Sequence, residues 1–370
     1  MGGLTTPARA RLKTLARALI DQERARVLIP PLENGPGFWF GSGNMVEDHH
    51  GRMYLCGRYR NSGDSRTGLQ AGARGAELGI FRSEDRGASF AKILSFSKRD
   101  LSYGDREVVS IERAWLYQAE TGVELYVSTE KTGLPYPEGF ESFRKPGTGV
   151  WSVDRITAPA IEALDPTTIE VLFEERDPRF CHLKDPMAYR NGAGDTVVML
   201  STHPFNWASS NTAVTVRRGD QERFGALNFD FFPRGFTWDV AISRICGVLR
   251  VPRTGAFSAL PQVYLYFYDG GECMRNHQEH PEATGRPRGY SCEELGGAAY
   301  TTEGEFPRIE RLSTTLPYFV SPHGTGCSRY ITALQTEEGV YATWEQSQSD
   351  LSQPLVLHFT PNEEVERILA

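Results

Sequence analysis

The feature that most constrains the fold is a pattern that recurs five times along the chain. A polar or charged residue precedes a short apolar strand, a turn, and a second strand rich in Tyr, Leu and Val. Three copies are clear: "IERAWLYQAETGVELYVSTE" with Glu112, "KDPMAYRNGAGDTVVMLST" with Asp185, and "WDVAISRICGVLRVP" with Asp239, joined by "QVYLYFYD". Two are weaker: "GSGNMVEDHHGRMYLCGRYR" puts Gly43 or Asn44 at the key position, and "GTGCSRYITALQTEEGVYATWEQ" puts Ser328 or Arg329 there. With Gly43, Glu112, Asp185, Asp239 and Ser328 as markers, the steps are 69, 73, 54 and 89 residues. Each step accommodates a four-stranded sheet with its loops, and five such units fill the chain after its first helix. Repeats of this kind predict a five-bladed β-propeller, with the first strand of each blade lining a central channel. A two-sheet β-sandwich is the alternative, and it leaves the recurring acidic positions without a reason.

The stretch "GIFRSEDRGASF" fits the same all-β class. Ser83 and Asp85 can accept hydrogen bonds from the backbone of their own turn, Gly87 can take a positive φ, and Phe90 starts a return strand. The spacing Ser83-x-Asp85-x-Gly87-x-x-Phe90 resembles the Asp box of sialidase-type β-propellers, a motif of architecture and not of catalysis.

Composition narrows the function. A net charge of −7 with no dense Lys/Arg stripe argues against nucleic-acid binding. Apolar runs are too short to span a bilayer. The 37 Gly, 22 Pro and 41 aromatic residues suit many turns and a surface on which sugars stack. Six dispersed cysteines with no CxxC pair predict reduced thiols, a cytoplasmic location and no zinc site. At the N-terminus, Leu12, Leu15, Ala16, Leu19 and Ile20 keep helical spacing behind Thr6 and Pro7. This predicts an amphipathic helix over residues 7–27, within an N-terminal segment 1–34 that precedes a propeller domain 35–370.

Carboxylates meeting in a concave site repel one another, so at least one should hold a proton near neutral pH. Glycoside hydrolysis needs that division between a proton donor and a base or nucleophile. Glu112 is expected as general acid, Asp239 as base and Asp185 as modulator; an Asp at a strand entrance can also simply cap a turn. Arg58, Arg60, Arg113, Arg244 and Arg329 follow or flank the channel strands, and a cluster of three could clamp a substrate carboxylate, or each could sit in a solvated pair at a strand edge. His182 and His203 flank the Asp185 hairpin, and Trp207 and Trp238 are candidates for sugar stacking or for core.

Lys184-Asp185-Pro186 and the "SPHGTG" segment around His323 resemble elements of five-bladed glycosidases of the arabinanase/xylosidase, invertase and anhydro-galactosidase groups. The resemblance implies a glycoside hydrolase, exo-acting on a plant or algal oligosaccharide. It also implies that His323 faces an axial cation such as Ca²⁺ or a water, with no other cofactor. A further implication is a homodimer formed through the N-terminal helix. The sequence departs from those groups in two ways. Blade one offers Gly43 and Asn44 where an Asp is usual, with Asp48 only in a later turn, and the order Glu, Asp, Asp replaces Asp, Asp, Glu. The alternatives are a sialidase-like or uronate-processing enzyme with an arginine clamp, and a sugar-binding propeller without activity.

Overall fold

The computed structural model describes residues 3–61, 73–144, 148–203, 209–219, 221–272 and 294–370. Trp207, Cys273 and Cys292 lie outside them. The chain folds as a five-bladed β-propeller. Helix α1 (Thr6–Leu19) and strand β1 (Arg26–Ile29) come first. Blade 1 holds β2 (Trp39–Gly41), β3 (Met45–Glu47), β4 (Met53–Asn61), β5 (Ala73–Ser83) and β6 (Ala91–Ser97). Blade 2 holds β7 (Val108–Gln118), β8 (Val123–Lys131), β9 (Val150–Ala158) and β10 (Glu170–Phe173). Blade 3 follows with β11 (Lys184–Arg190), β12 (Thr196–Thr202), β13 (Asn211–Arg217) and β14 (Asn228–Phe232). In blade 4 these are β15 (Ile242–Arg250), β16 (Val263–Gly271), β17 (Leu295–Thr302) and β18 (Glu310–Arg311). Blade 5 has β19 (Ser328–Gln335), β20 (Gly339–Gln346) and β21 (Leu355–Pro361), and helix α2 (Asn362–Leu369) ends the chain.

Every sheet is an antiparallel meander whose first strand lies innermost, and β3, β7, β11, β15 and β19 pack against one another in a ring. The fourth strand of blade 5 is β1, which pairs with β21 at Arg26↔Leu357 and Val27↔Val356. The ring is therefore closed by the N-terminal segment, and the expected boundary at residue 34 divides a single unit. Arg26 also donates to the Gly87 carbonyl at 2.8 Å, tying the closing strand to blade 1.

The hairpin that Gly87 belongs to forms as its residues dictate. Gly87 has φ +81°, Ser83 Oγ accepts from the Gly87 amide at 2.8 Å, and Asp85 accepts from the Ser89 amide at 2.8 Å.

Helix α1 is shorter than its hydrophobic spacing predicts. It stops at Leu19, because residues 26–29 are needed as a strand, and its cap is Thr5, whose side chain accepts from the Ala8 amide at 3.4 Å. Its apolar face, Leu12, Leu15, Ala16 and Leu19, is buried in one core with Leu249 and Leu265 of blade 4, Ala342 and Trp344 of blade 5, and Val365 and Leu369 of α2. The helix fills the gap between blades 4 and 5 of its own chain, so the face expected to recruit a second subunit is already covered.

Candidate functional site

The innermost strands share a backbone irregularity, which coincides with the recurring polar position in every blade but the fourth. Pairing with the second strand shifts register between Ile111 and Ala114 in blade 2, Lys184 and Met187 in blade 3, Ile245 and Gly247 in blade 4, and Arg329 and Thr332 in blade 5. In blade 1 the innermost strand is broken between β2 and β3 at residues 42–44. Bulges re-aim side chains and leave amides without a ladder partner. Ser42, Asp185 and Tyr330 sit there at φ +57°, +55° and +53°, a region that residues other than glycine adopt at a cost.

Side chains from the second strands hold these bulges. Ser128 Oγ accepts from the amides of Arg113 and Asp185, both at 3.1 Å. Asp269 accepts from the Tyr330 amide at 3.0 Å, and Glu345 from the Ser42 hydroxyl at 2.8 Å.

Asp185 is fully buried. Its carboxylate accepts from Ser201 at 2.9 Å, the Tyr330 hydroxyl at 3.2 Å and Arg244 at 3.3 Å. Burial works to raise its pKa, but Lys184 and Arg244 outweigh it and hold the group below the ordinary carboxylate value. Glu112 stands beside it on blade 2, accepting from Ser110 at 2.8 Å and facing Lys184 at 3.5 Å. Burial again opposes ionisation, and Lys184, Arg58 and Arg60 together hold Glu112 far below the usual range. The expected mutual repulsion of Glu112 and Asp185 is overridden by cations. Lys184, Arg58 and Arg60 thus favour the carboxylate form of Glu112.

A second network completes the ring. Arg244 contacts Asp269 and Glu294, each at 2.8 Å. Arg329 bridges Glu294 at 2.7 Å and Glu345 at 2.8 Å. Burial pushes Asp269 up to about 6 against the pull of Arg244. Arg113 is buried, packs on Trp115 and Tyr330, and donates to the Cys246 carbonyl of blade 4, crossing the channel.

Other expected residues lie elsewhere. Asp239 comes three residues before β15. Its carboxylate accepts from Arg311 of β18, the outermost strand of blade 4, at 2.8 Å and from Tyr268 at 3.2 Å. It clasps a blade together, while Arg244 holds the axial position in blade 4. Trp238 is buried, donates to the Ser313 carbonyl at 3.0 Å and stacks on Tyr268, so it is core. His323 is exposed in a surface turn. No group of three or more His, Cys, Asp or Glu able to hold a metal exists among the described residues. His182 is buried edge-on to Trp151, with ring centroids 4.8 Å apart. His203 is buried with neither ring nitrogen hydrogen-bonded; burial first, then Lys184, lowers its pKa well below the usual value and keeps it neutral.

Blade 1 explains its missing acid. A Cβ on Gly43 would meet the Cys56 carbonyl oxygen at 1.9 Å, so no side chain fits there. Asn44 is used to join blades: it donates to the Leu116 carbonyl at 2.9 Å and accepts from the Leu116 amide at 2.8 Å. Asp48 makes a surface pair with Arg52 at 2.7 Å. What blade 1 contributes to the entrance is Arg58 and Arg60 on β4, opposite Gly41 and Trp39 of β2.

The fold is shared with sugar-cleaving enzymes. A thermostable family-43 glycoside hydrolase matches with a TM-score of 0.57 at 9% identity, over 90% of this chain and 92% of that one. The β-xylosidase RS223 matches with 0.55 at 8% identity, over 91% and 95%. The β-1,2-mannobiose phosphorylase of Listeria innocua matches with 0.54 at 14% identity, over 92% and 96%. Identities this low establish the architecture and nothing finer. No protein-family model matches the sequence, and no curated protein does. No helix among the described residues is long and apolar enough to cross a membrane.

Proposed function

We propose that the protein is a glycoside hydrolase that cleaves an oligosaccharide at the propeller axis. The observation that supports this reading best is the paired placement of Glu112 and Asp185 at bulges of adjacent innermost strands, with Asp185 in a strained left-handed conformation. Local backbone strain of this kind concentrates at active sites. Glu112, partly reachable from solvent and ionised, acts on the sugar as base or nucleophile. Asp185, sealed behind it, fixes Arg244 and Tyr330 and tunes the field at Glu112. Exo-action on a plant or algal saccharide is the form of this activity we propose; the neighbours, which include a β-xylosidase and an α-L-arabinofuranosidase, share the protein's fold.

A second reading, a sialidase-like or uronate-processing enzyme, is favoured by the arginines that blades 1 and 5 bring to the same entrance. Turnover of a panel of neutral and acidic aryl glycosides by the wild type and by Glu112→Gln tests both. A sugar-binding propeller without activity would bind panel members and cleave none.

A further inference from the structure

Four side chains at the boundary of blades 5, 1 and 2 share an unusual property. Arg58 is buried, 2% exposed, and its Nε and Nη1 have no hydrogen-bond partner. Arg60 Nε, Arg329 Nη2 and Trp39 Nε1 are buried and equally without partners. These five nitrogens are all donors. They belong to one neighbourhood: Arg60 lies over the Trp39 ring at 4.8 Å, Arg329 over the same ring at 4.2 Å, and Arg58 is two residues from Arg60 on the same face of β4.

The nearby carboxylates are already committed. Glu112 takes Lys184 and Ser110, Glu130 takes Arg74 at 2.9 Å, and Glu294 and Glu345 take the other nitrogens of Arg329. Burial, together with Arg58, Arg329 and Arg74, pulls the Arg60 guanidinium down to about 9, still a cation at neutral pH. Buried donors on charged groups are expensive to leave unsatisfied, and native structures rarely do so without a functional reason. Among the described residues, no carboxylate is hydrogen-bonded to these five nitrogens.

We infer that Trp39, Arg58, Arg60 and Arg329 form an oxyanion subsite beside Glu112, built to receive a carboxylate or phosphate group. Planar guanidinium forks suit either group through paired hydrogen bonds. A carboxylate would belong to an acidic sugar in the substrate. A phosphate would be a separate reactant occupying the position of the attacking water. Placing that anion at the reacting sugar rests on the axial glycosidase reading; its binding does not.

Calorimetric titration of the full chain at low salt with inorganic phosphate, glucuronate and glucose tests the inference. One or both anions should bind, and glucose should not bind comparably. Phosphate binding alone identifies a free reactant, and glucuronate binding alone identifies an acidic sugar. Arg58→Met and Arg60→Gln should each weaken anion binding by at least about tenfold, since hydrogen bonds to charged groups are worth that much. Each variant should keep a cooperative thermal transition, so that lost anion binding is not lost folding. Failure of both anions to bind, or wild-type anion affinity in both folded variants, would overturn the inference. These readouts stand apart from turnover, so a protein that cleaves no glycoside can still satisfy them.

Discussion

Asp185 combines complete burial, a left-handed backbone and three donors to one carboxylate. Its pKa is depressed in the folded chain, so the stability it contributes is complete above the ordinary Asp value of about 4 and is lost as pH falls below it. Asp185→Asn should therefore cost about 1–3 kcal/mol at pH 7 and flatten the loss of stability below pH 4. Urea unfolding at pH 3 and pH 7 checks this, and unchanged slopes between the two would refute it. Asp239 carries a separate prediction. Its partner is Arg311, so Asp239→Asn should lower stability yet leave turnover within about threefold of wild type. Both acids precede apolar strands and look alike in sequence, because whether such a side chain turns to the axis or to an outer strand is decided by packing. Asp269, Glu294 and Glu345 are harder still to foresee. Asp269 and Glu345 sit inside "YFYDGGE" and "YATWEQ", where the legible signal was a charged residue within a buried strand.

At the scale of elements, the repeat was readable because each blade needs the same bulged first strand and tight second strand. The residues that hold the bulges were not readable, since they come from the second strand and often from the preceding blade. Ser128 shows the point by accepting two amides from two blades. Ser128→Ala leaves both without an acceptor and should cost about 1–3 kcal/mol in urea unfolding; a loss below about 0.5 kcal/mol would show that the bulges support themselves. The N-terminal helix was legible in its apolar stripe, but neither its length nor the surface that covers the stripe was. A stripe reports that a face is buried and does not name the surface covering it. Leu15 lies fully within the joint core of blades 4 and 5, and Leu15→Ala should cost about 2–5 kcal/mol without altering the mass in solution. A shift from dimer to monomer in that variant would return the helix to the subunit interface.

The whole molecule is a ring held shut by its own first strand. β1 completes blade 5, α1 fills the gap beside it, and the Phe40 amide donates to the Gln353 carbonyl at 3.0 Å across the same seam. Deleting residues 1–29 removes the closing strand together with the buried side chains of Leu4, Leu12, Leu15, Leu19, Ile20 and Ile29, each worth roughly 1.5–3 kcal/mol. The truncated chain should lose its cooperative thermal transition by circular dichroism, and an unchanged melting curve would contradict closure by β1. Within this ring the central claim is that Glu112, ionised at the axial entrance, acts directly on a glycosidic bond. The most direct test is the turnover of the best substrate from a glycoside panel by Glu112→Gln against wild type, with folding verified by the thermal transition. The account predicts a folded variant slowed by at least about a hundredfold, the ordinary scale of acid–base and nucleophilic catalysis. Turnover within a few fold of wild type, or no cleavage of any glycoside by the wild type, would contradict it.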